Sequence, residues 1–156
     1  MAELDLLAGP PPAGGEARTE SVIAKSVART SRTYINRIVE QINGSYELGY
    51  YDACSVMVRR LLETLLIEAF EHAQSSQEIK RADGEFVFLG DLIDAALVYG
   101  GRNLGRNCKS AMRKLKDVGD KSAHSRRYLA HRSDIDGIVN DLRTVVQELI
   151  LLASLQ

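Results

Sequence analysis

Proline occurs only at Pro10-Pro11-Pro12, so everything after it is free of the one residue that breaks a helix from inside. Over that length apolar residues recur at three- and four-residue spacings, the period of a helix with one buried face. From Ser21 to Asn43, Val22, Ile23, Val27, Tyr34, Ile35, Ile38, Val39 and Ile42 share one side. This predicts a long amphipathic helix closed by Asn43-Gly44. A second helix is predicted from Tyr46 to Ala73, with Cys54, Val58, Leu61, Leu62, Leu65 and Ala69 as its main stripe and Leu66, Ile67 and Phe70 as a second patch. Two apolar sides mark it as central. Arg59 and Glu63 share the rotation of the second patch and read either as a partly buried pair or as an ordinary surface pair, whereas Arg60, Thr64, Glu68 and Glu71 define a polar side.

Residues Ala73–Glu85 are polar and carry the turn signal Ala82-Asp83-Gly84. Asp91–Tyr99 reads as a short helix stopped by Gly100-Gly101, and Arg102–Val118 as another, with Leu104, Cys108, Ala111, Met112, Leu115 and Val118 inward. The last helix is predicted to start at Ser133-Asp134-Ile135-Asp136, where Ser133 caps and the carboxylates suit the positive helix end. Its inner face is Ile135, Ile138, Val139, Leu142, Val145, Val146, Leu149 and Ile150. The expected fold is all-α, a bundle of about five helices in a single domain over 19–156. Residues 1–18, with their glycine-proline run, are expected to be a disordered tail.

With 45% apolar and 26% charged residues the chain can build one core, but no apolar run reaches the ~18 to 20 residues of a membrane span. The N-terminus is acidic where a secretory signal carries Lys or Arg, and Cys54 and Cys108 sit apart within helical patterns. A reducing cytoplasm is therefore the expected setting. His72, His124, His131, Cys54 and Cys108 show no close ligand pairs, so neither a metal nor another cofactor is expected. Gly100-Gly101-Arg102-Asn103-Leu104-Gly105 lacks the preceding strand of a dinucleotide site, and there is no phosphate-binding loop or hydrolase elbow.

Charge is where the sequence is most uneven. Residues 1–101 hold 9 basic and 15 acidic side chains, 102–132 hold 10 and 2, and 133–156 hold 1 and 4, giving −6, +8 and −3. Half of all Lys and Arg thus lie in one short stretch, the footprint of an anionic partner or of a solvated face neutralised by acidic neighbours. Arg102, Arg106, Lys109, Arg113 and Lys116 follow one another at +4, +3, +4 and +3, a basic ridge opposite the apolar stripe. If the helix passes Gly119, Asp120 and His124 extend the ridge; glycine is also a common terminator. Arg126, Arg127, His131 and Arg132 add cations beyond it. Histidine exchanges a proton near neutral pH and a nearby Asp orients it, so Lys116, Asp120 and His124 are the candidate catalytic group. The alternative for His124 is a helix cap or hydrogen-bonded turn residue.

Two stretches carry a family resemblance. Gly49-Tyr50-Tyr51-Asp52-Ala53-Cys54-Ser55-Val56-Met57-Val58-Arg59-Arg60-Leu61-Leu62-Glu63 resembles the small-residue and Arg-x-Leu-Glu helix of the family called domain of unknown function 4145, and Leu115-Lys116-Asp117-Val118-Gly119-Asp120-Lys121-Ser122-Ala123-His124 resembles its Leu-Arg-x-x-Gly-Asn-x-x-Ala-His signature. The similarity spans residues 30–155. That family is grouped with the HEPN superfamily of helical domains, many of them metal-independent ribonucleases or RNA binders, often dimeric. The resemblance implies an HEPN-like bundle, RNA or another polyanion as ligand, a homodimer, and a role in bacterial defence or stress. In those ribonucleases an Arg and a His a few residues apart, often with an Asn after the Arg, contact the scissile phosphate. Here Lys116 stands for the Arg and Asp120 for the Asn, and His124 is retained. Lysine lacks the planar fork that matches a phosphate, and a carboxylate repels one. Arg126 and His131 offer another Arg, four residues, His spacing.

Three functions therefore stand: nucleic-acid binding through Arg102, Arg106, Lys109, Arg113, Lys116, Arg126 and Arg127; a metal-independent endoribonuclease with His124 as base; and a non-catalytic interaction module for a separately encoded effector protein. The apolar surplus along Ser21–Asn43 and Leu66–Phe70 points to a homodimer.

Overall fold

In the computed structural model, residues 20–99 and 104–156 are described. Among them are seven α-helices: α1 Lys25–Ala28, α2 Thr33–Glu47, α3 Tyr51–His72, α4 Leu89–Tyr99, α5 Arg106–His124, α6 Arg132–Asp136 and α7 Val139–Leu152, with a 3-10 turn at Ser76–Ile79. The described residues contain no strand, only an isolated bridge between Lys80 and Phe86. The chain is an all-α bundle. No described helix is long and apolar enough to cross a membrane. The expected tail over 1–18, the Gly100-Gly101 stop and Arg102 lie outside the described residues.

Helix α3 is the axle. It packs against α2, α4, α5, α6 and α7, and Cys54, Val58, Leu61, Leu62, Leu65 and Leu66 on it are buried. Leu142, Val145, Val146, Leu149 and Ile150 of α7 close the core from the other side. Glu68 is buried rather than on a polar side, its carboxylate 3.6 Å from Arg32 Nε.

The predicted Ser21–Asn43 helix is two. Local side-chain bonds interrupt it between Arg29 and Arg32. The Asn36 side chain accepts from the Thr30 N–H at 2.9 Å and donates to the Thr30 carbonyl at 3.0 Å, and the Thr30 hydroxyl accepts from the Arg32 N–H at 3.1 Å. Thr and Asn satisfy the backbone here without a helix. Asn43 does not close α2 either. It is fully buried, and its side-chain oxygen accepts from both the Val22 and Ile23 N–H at 3.0 Å while its amide donates to the Ile23 carbonyl at 2.9 Å. The segment before α1 is thereby clamped into the core.

Helix α2 ends instead at Gly49. Tyr50 N–H donates to the Ser45 carbonyl at 2.8 Å and Gly49 N–H to the Tyr46 carbonyl at 3.0 Å, with Gly49 at φ 78°. That is a Schellman ending, and Tyr46 belongs to α2 rather than to the next helix. The final helix is also divided. Gly137 separates α6 from α7, and His131, not Ser133, precedes α6, its N–H donating to Asp134 Oδ2 at 2.7 Å.

The apolar residues offered as a dimer surplus are mostly used within the chain. Val22, Ile23, Ile35, Ile38, Val39, Ile42, Leu66 and Phe70 are buried, so they supply no contact surface for a second copy.

Candidate polyanion interface

Helix α5 does not stop at Gly119; it runs on to His124. Glycine is there for closeness, not termination. A Cβ on Gly119 would lie 2.5 Å from Arg59 Cβ and 3.0 Å from the Ser55 carbonyl oxygen, so only glycine lets α5 cross α3 at this point. Asp120 and His124 consequently follow Lys116 at successive turns of one continuous helix.

The crossing builds a charge network. Arg59 Nε donates to Asp120 Oδ1 at 2.7 Å, Lys116 Nζ donates to Asp120 Oδ2, and Arg59 Nη1 lies 3.4 Å from Glu63 Oε2. The Arg59, Lys116 and Asp120 side chains are each about one-quarter exposed. Arg59 and Glu63 are thus a partly buried pair whose closer partner is Asp120, 61 residues away in sequence. Burial pushes the Asp120 carboxyl up, but hydrogen bonds and charge from Lys116 and Arg59 outweigh it and hold the group below the usual carboxylate range. Lys116 is committed to this network.

The ridge is therefore uneven. Arg113 faces Asp94 at 3.2 Å in a pair more than half exposed on both sides, and Lys114 lies 3.5 Å from Asp141. Lys109 is half-buried, while Arg106 is exposed at the first residue of α5. At the other end of the helix the balance changes. Lys121, Arg126 and Arg127 are exposed and have no carboxylate partner among the described residues, and exposed His124 stands between them. Lys121 carries the local cation density into the last helical turn, where the helix dipole favours positive charge.

Neighbouring cations serve the fold. Arg132 Nε donates to the Tyr46 hydroxyl at 2.9 Å, and its guanidinium lies 5.3 Å from the Tyr46 ring centroid. The Tyr46 hydroxyl in turn donates to Asp136 at 2.5 Å. In the segment that follows α5, Ala130 N–H donates to Asp52 Oδ1 at 3.1 Å and ties that point of the loop to the start of α3.

Among the described residues no three His, Cys, Asp or Glu side chains converge to hold a metal ion. Cys54 and Cys108 are buried free thiols, and burial pushes each up to about 12, so neither is a nucleophile at neutral pH. Sequence spacing brought out the ridge but not the Arg59–Asp120 bond, which has no local signal. Lys121 was legible only within the family-like signature. No family model matches the chain, and no curated protein or solved structure matches it either.

Proposed function

We propose that the chain is an HEPN-like helical domain that binds RNA or a comparable polyanion without cleaving it. The observation that carries this is the trio Lys121, Arg126 and Arg127, exposed and lacking carboxylate partners among the described residues. Three such exposed cations within seven residues attract phosphates at every sequence, because the attraction is to backbone charge. Arg106, Lys109 and Arg113 extend the field along α5, with Arg102 next to it in sequence. Binding is favoured over catalysis by the engagement of Lys116. Its ammonium is held by Asp120, so of the Lys116, Asp120 and His124 group only His124 faces solvent without a partner among the described residues. The same reading has the protein act as a homodimer in bacterial defence or stress response, on the strength of the family resemblance, and in a reducing cytoplasm, on the strength of its two separate free cysteines.

The test is a pair of charge reversals. Arg126→Glu with Arg127→Glu weakens RNA binding at low salt whatever the sequence, whereas Arg113→Glu with Lys114→Glu, whose cations already face Asp94 and Asp141, weakens it less. Unchanged binding in the first variant overturns the proposal and leaves a module that docks a protein partner. RNA cleavage that persists in EDTA and disappears in His124→Ala would instead establish the endoribonuclease.

A further inference from the structure

In the two segments that the Ala130–Asp52 bond joins, three apolar side chains are left unused by the core. Leu48, Tyr50 and Leu129 are 70%, 64% and 71% exposed. They come from two places in the chain. Leu48 and Tyr50 flank Gly49 in the turn between α2 and α3, and Leu129 precedes Ala130, whose N–H is fixed to Asp52 only two residues beyond Tyr50. Arg127 is two residues from Leu129, within about 7 Å along the backbone, so Arg126 and Arg127 sit in the same loop as the apolar Leu129.

Tyr50 is presented rather than tucked away. Its backbone is fixed by the N–H bond to the Ser45 carbonyl at 2.8 Å, while its side chain has no hydrogen-bond or ring partner among the described residues. The adjacent Tyr51 behaves oppositely, packing edge-on against Tyr46 with centroids 5.8 Å apart. The carboxylates nearby, Asp52, Asp134, Asp136 and Glu47, accept from Ala130 N–H, His131 N–H, the Tyr46 hydroxyl and the Ser21 hydroxyl, and none of them pairs with Arg126 or Arg127. An exposed aromatic ring on a fixed backbone, near arginines that have no carboxylate partner among the described residues, suits a chain that carries both phosphates and flat apolar rings.

We infer that Tyr50, with Leu48 and Leu129 beside it, is a stacking platform for unpaired bases, so that the ligand of this surface is single-stranded nucleic acid. The inference rests on the reading of the basic surface as a polyanion site. In a duplex the base faces are already stacked and cannot reach Tyr50.

The experiment compares wild type, Tyr50→Ala and Tyr50→Phe against a single-stranded mixed-sequence RNA, its duplex, and inorganic polyphosphate. Tyr50→Ala is expected to lose at least about fivefold in affinity for the single strand, the lower end for one stacked base. Polyphosphate and duplex binding stay unchanged, and Tyr50→Phe retains wild-type affinity. Because the chain has no tryptophan, Tyr50→Trp supplies a lone reporter whose emission is quenched by the single strand and not by polyphosphate. Equal losses for RNA and polyphosphate, or no loss for either, overturn the platform while leaving the basic surface intact. Failure of wild type to bind polyphosphate or RNA removes the basic surface and the platform together. A changed solution mass of Tyr50→Ala in light scattering assigns the patch to contact between copies and likewise overturns it.

Discussion

Arg59 of α3 and Asp120 of α5 meet at 2.7 Å across a helix crossing that Gly119 alone makes close enough. The pair ties the centre of the bundle to the helix that carries the basic residues. Lys116 completes the link from the other carboxylate oxygen, so one turn of α5 is locked while the next, ending in His124, stays open to solvent.

Gly119→Ala is the sharpest test of that crossing. On helix propensity alone the substitution would gain about 1 kcal/mol. Contact of the new Cβ with Arg59 Cβ and the Ser55 carbonyl instead costs about 1–3 kcal/mol, because backbone on one side cannot yield. Urea unfolding decides between the two signs. A more stable variant would contradict the close packing.

Acid should weaken the same link. The Asp120 carboxyl is held below its unfolded value, so its contribution is complete above the unfolded range near pH 4 and is lost as pH falls through the folded value. Asp134, held down first by the His131 backbone N–H, adds a contribution of the same sign. Unfolding free energy measured between pH 6 and pH 3 therefore falls toward acid, and Asp120→Asn flattens the fall without abolishing it. An identical slope in the variant would contradict the network.

Asn43→Ala removes three hydrogen bonds from a fully buried site and leaves the Val22 and Ile23 N–H groups without acceptors. The expected loss is at least about 2 kcal/mol. Hydrogen exchange adds a local signature, since protection at Val22 and Ile23 should collapse before that of α3. Uniform loss of protection over the bundle would show that the clamp is not a separate unit.

Much of the architecture was legible from periodicity, and the failures have definite causes. Apart from the half-buried Val118 and Val139, the main stripes of α3, α5 and α7 are buried as their spacing predicts, because a long apolar face has only one favourable place to go. Helix ends were harder. Asn36 and Asn43 are ordinary polar residues in sequence, and only the folded chain reveals that one interrupts a helix and the other clamps a distant segment. Gln74 and Ser154 end α3 and α7 in the left-handed conformation without glycine, so no composition signal marks them. Gly119 is compatible in sequence with a helix stop, because nothing local states what passes opposite it. Within the candidate site the sequence located the positive charge but not its pairing. Asp94, Asp120 and Asp141 face Arg113, Lys116 and Lys114 from positions set by tertiary packing, which leaves Arg106 at one end of α5 and the cations beyond Asp120 at the other without a carboxylate partner among the described residues.

The central claim is that Lys121, Arg126 and Arg127 meet phosphate directly, and the salt dependence of RNA binding tests it most closely. For about three contacts on a single strand, the logarithm of the binding constant falls with the logarithm of salt at a slope of about −2, and Arg126→Glu with Arg127→Glu brings it to about −1 or shallower. Wild-type affinity that does not change with salt, or a slope the double variant leaves untouched, would contradict the account.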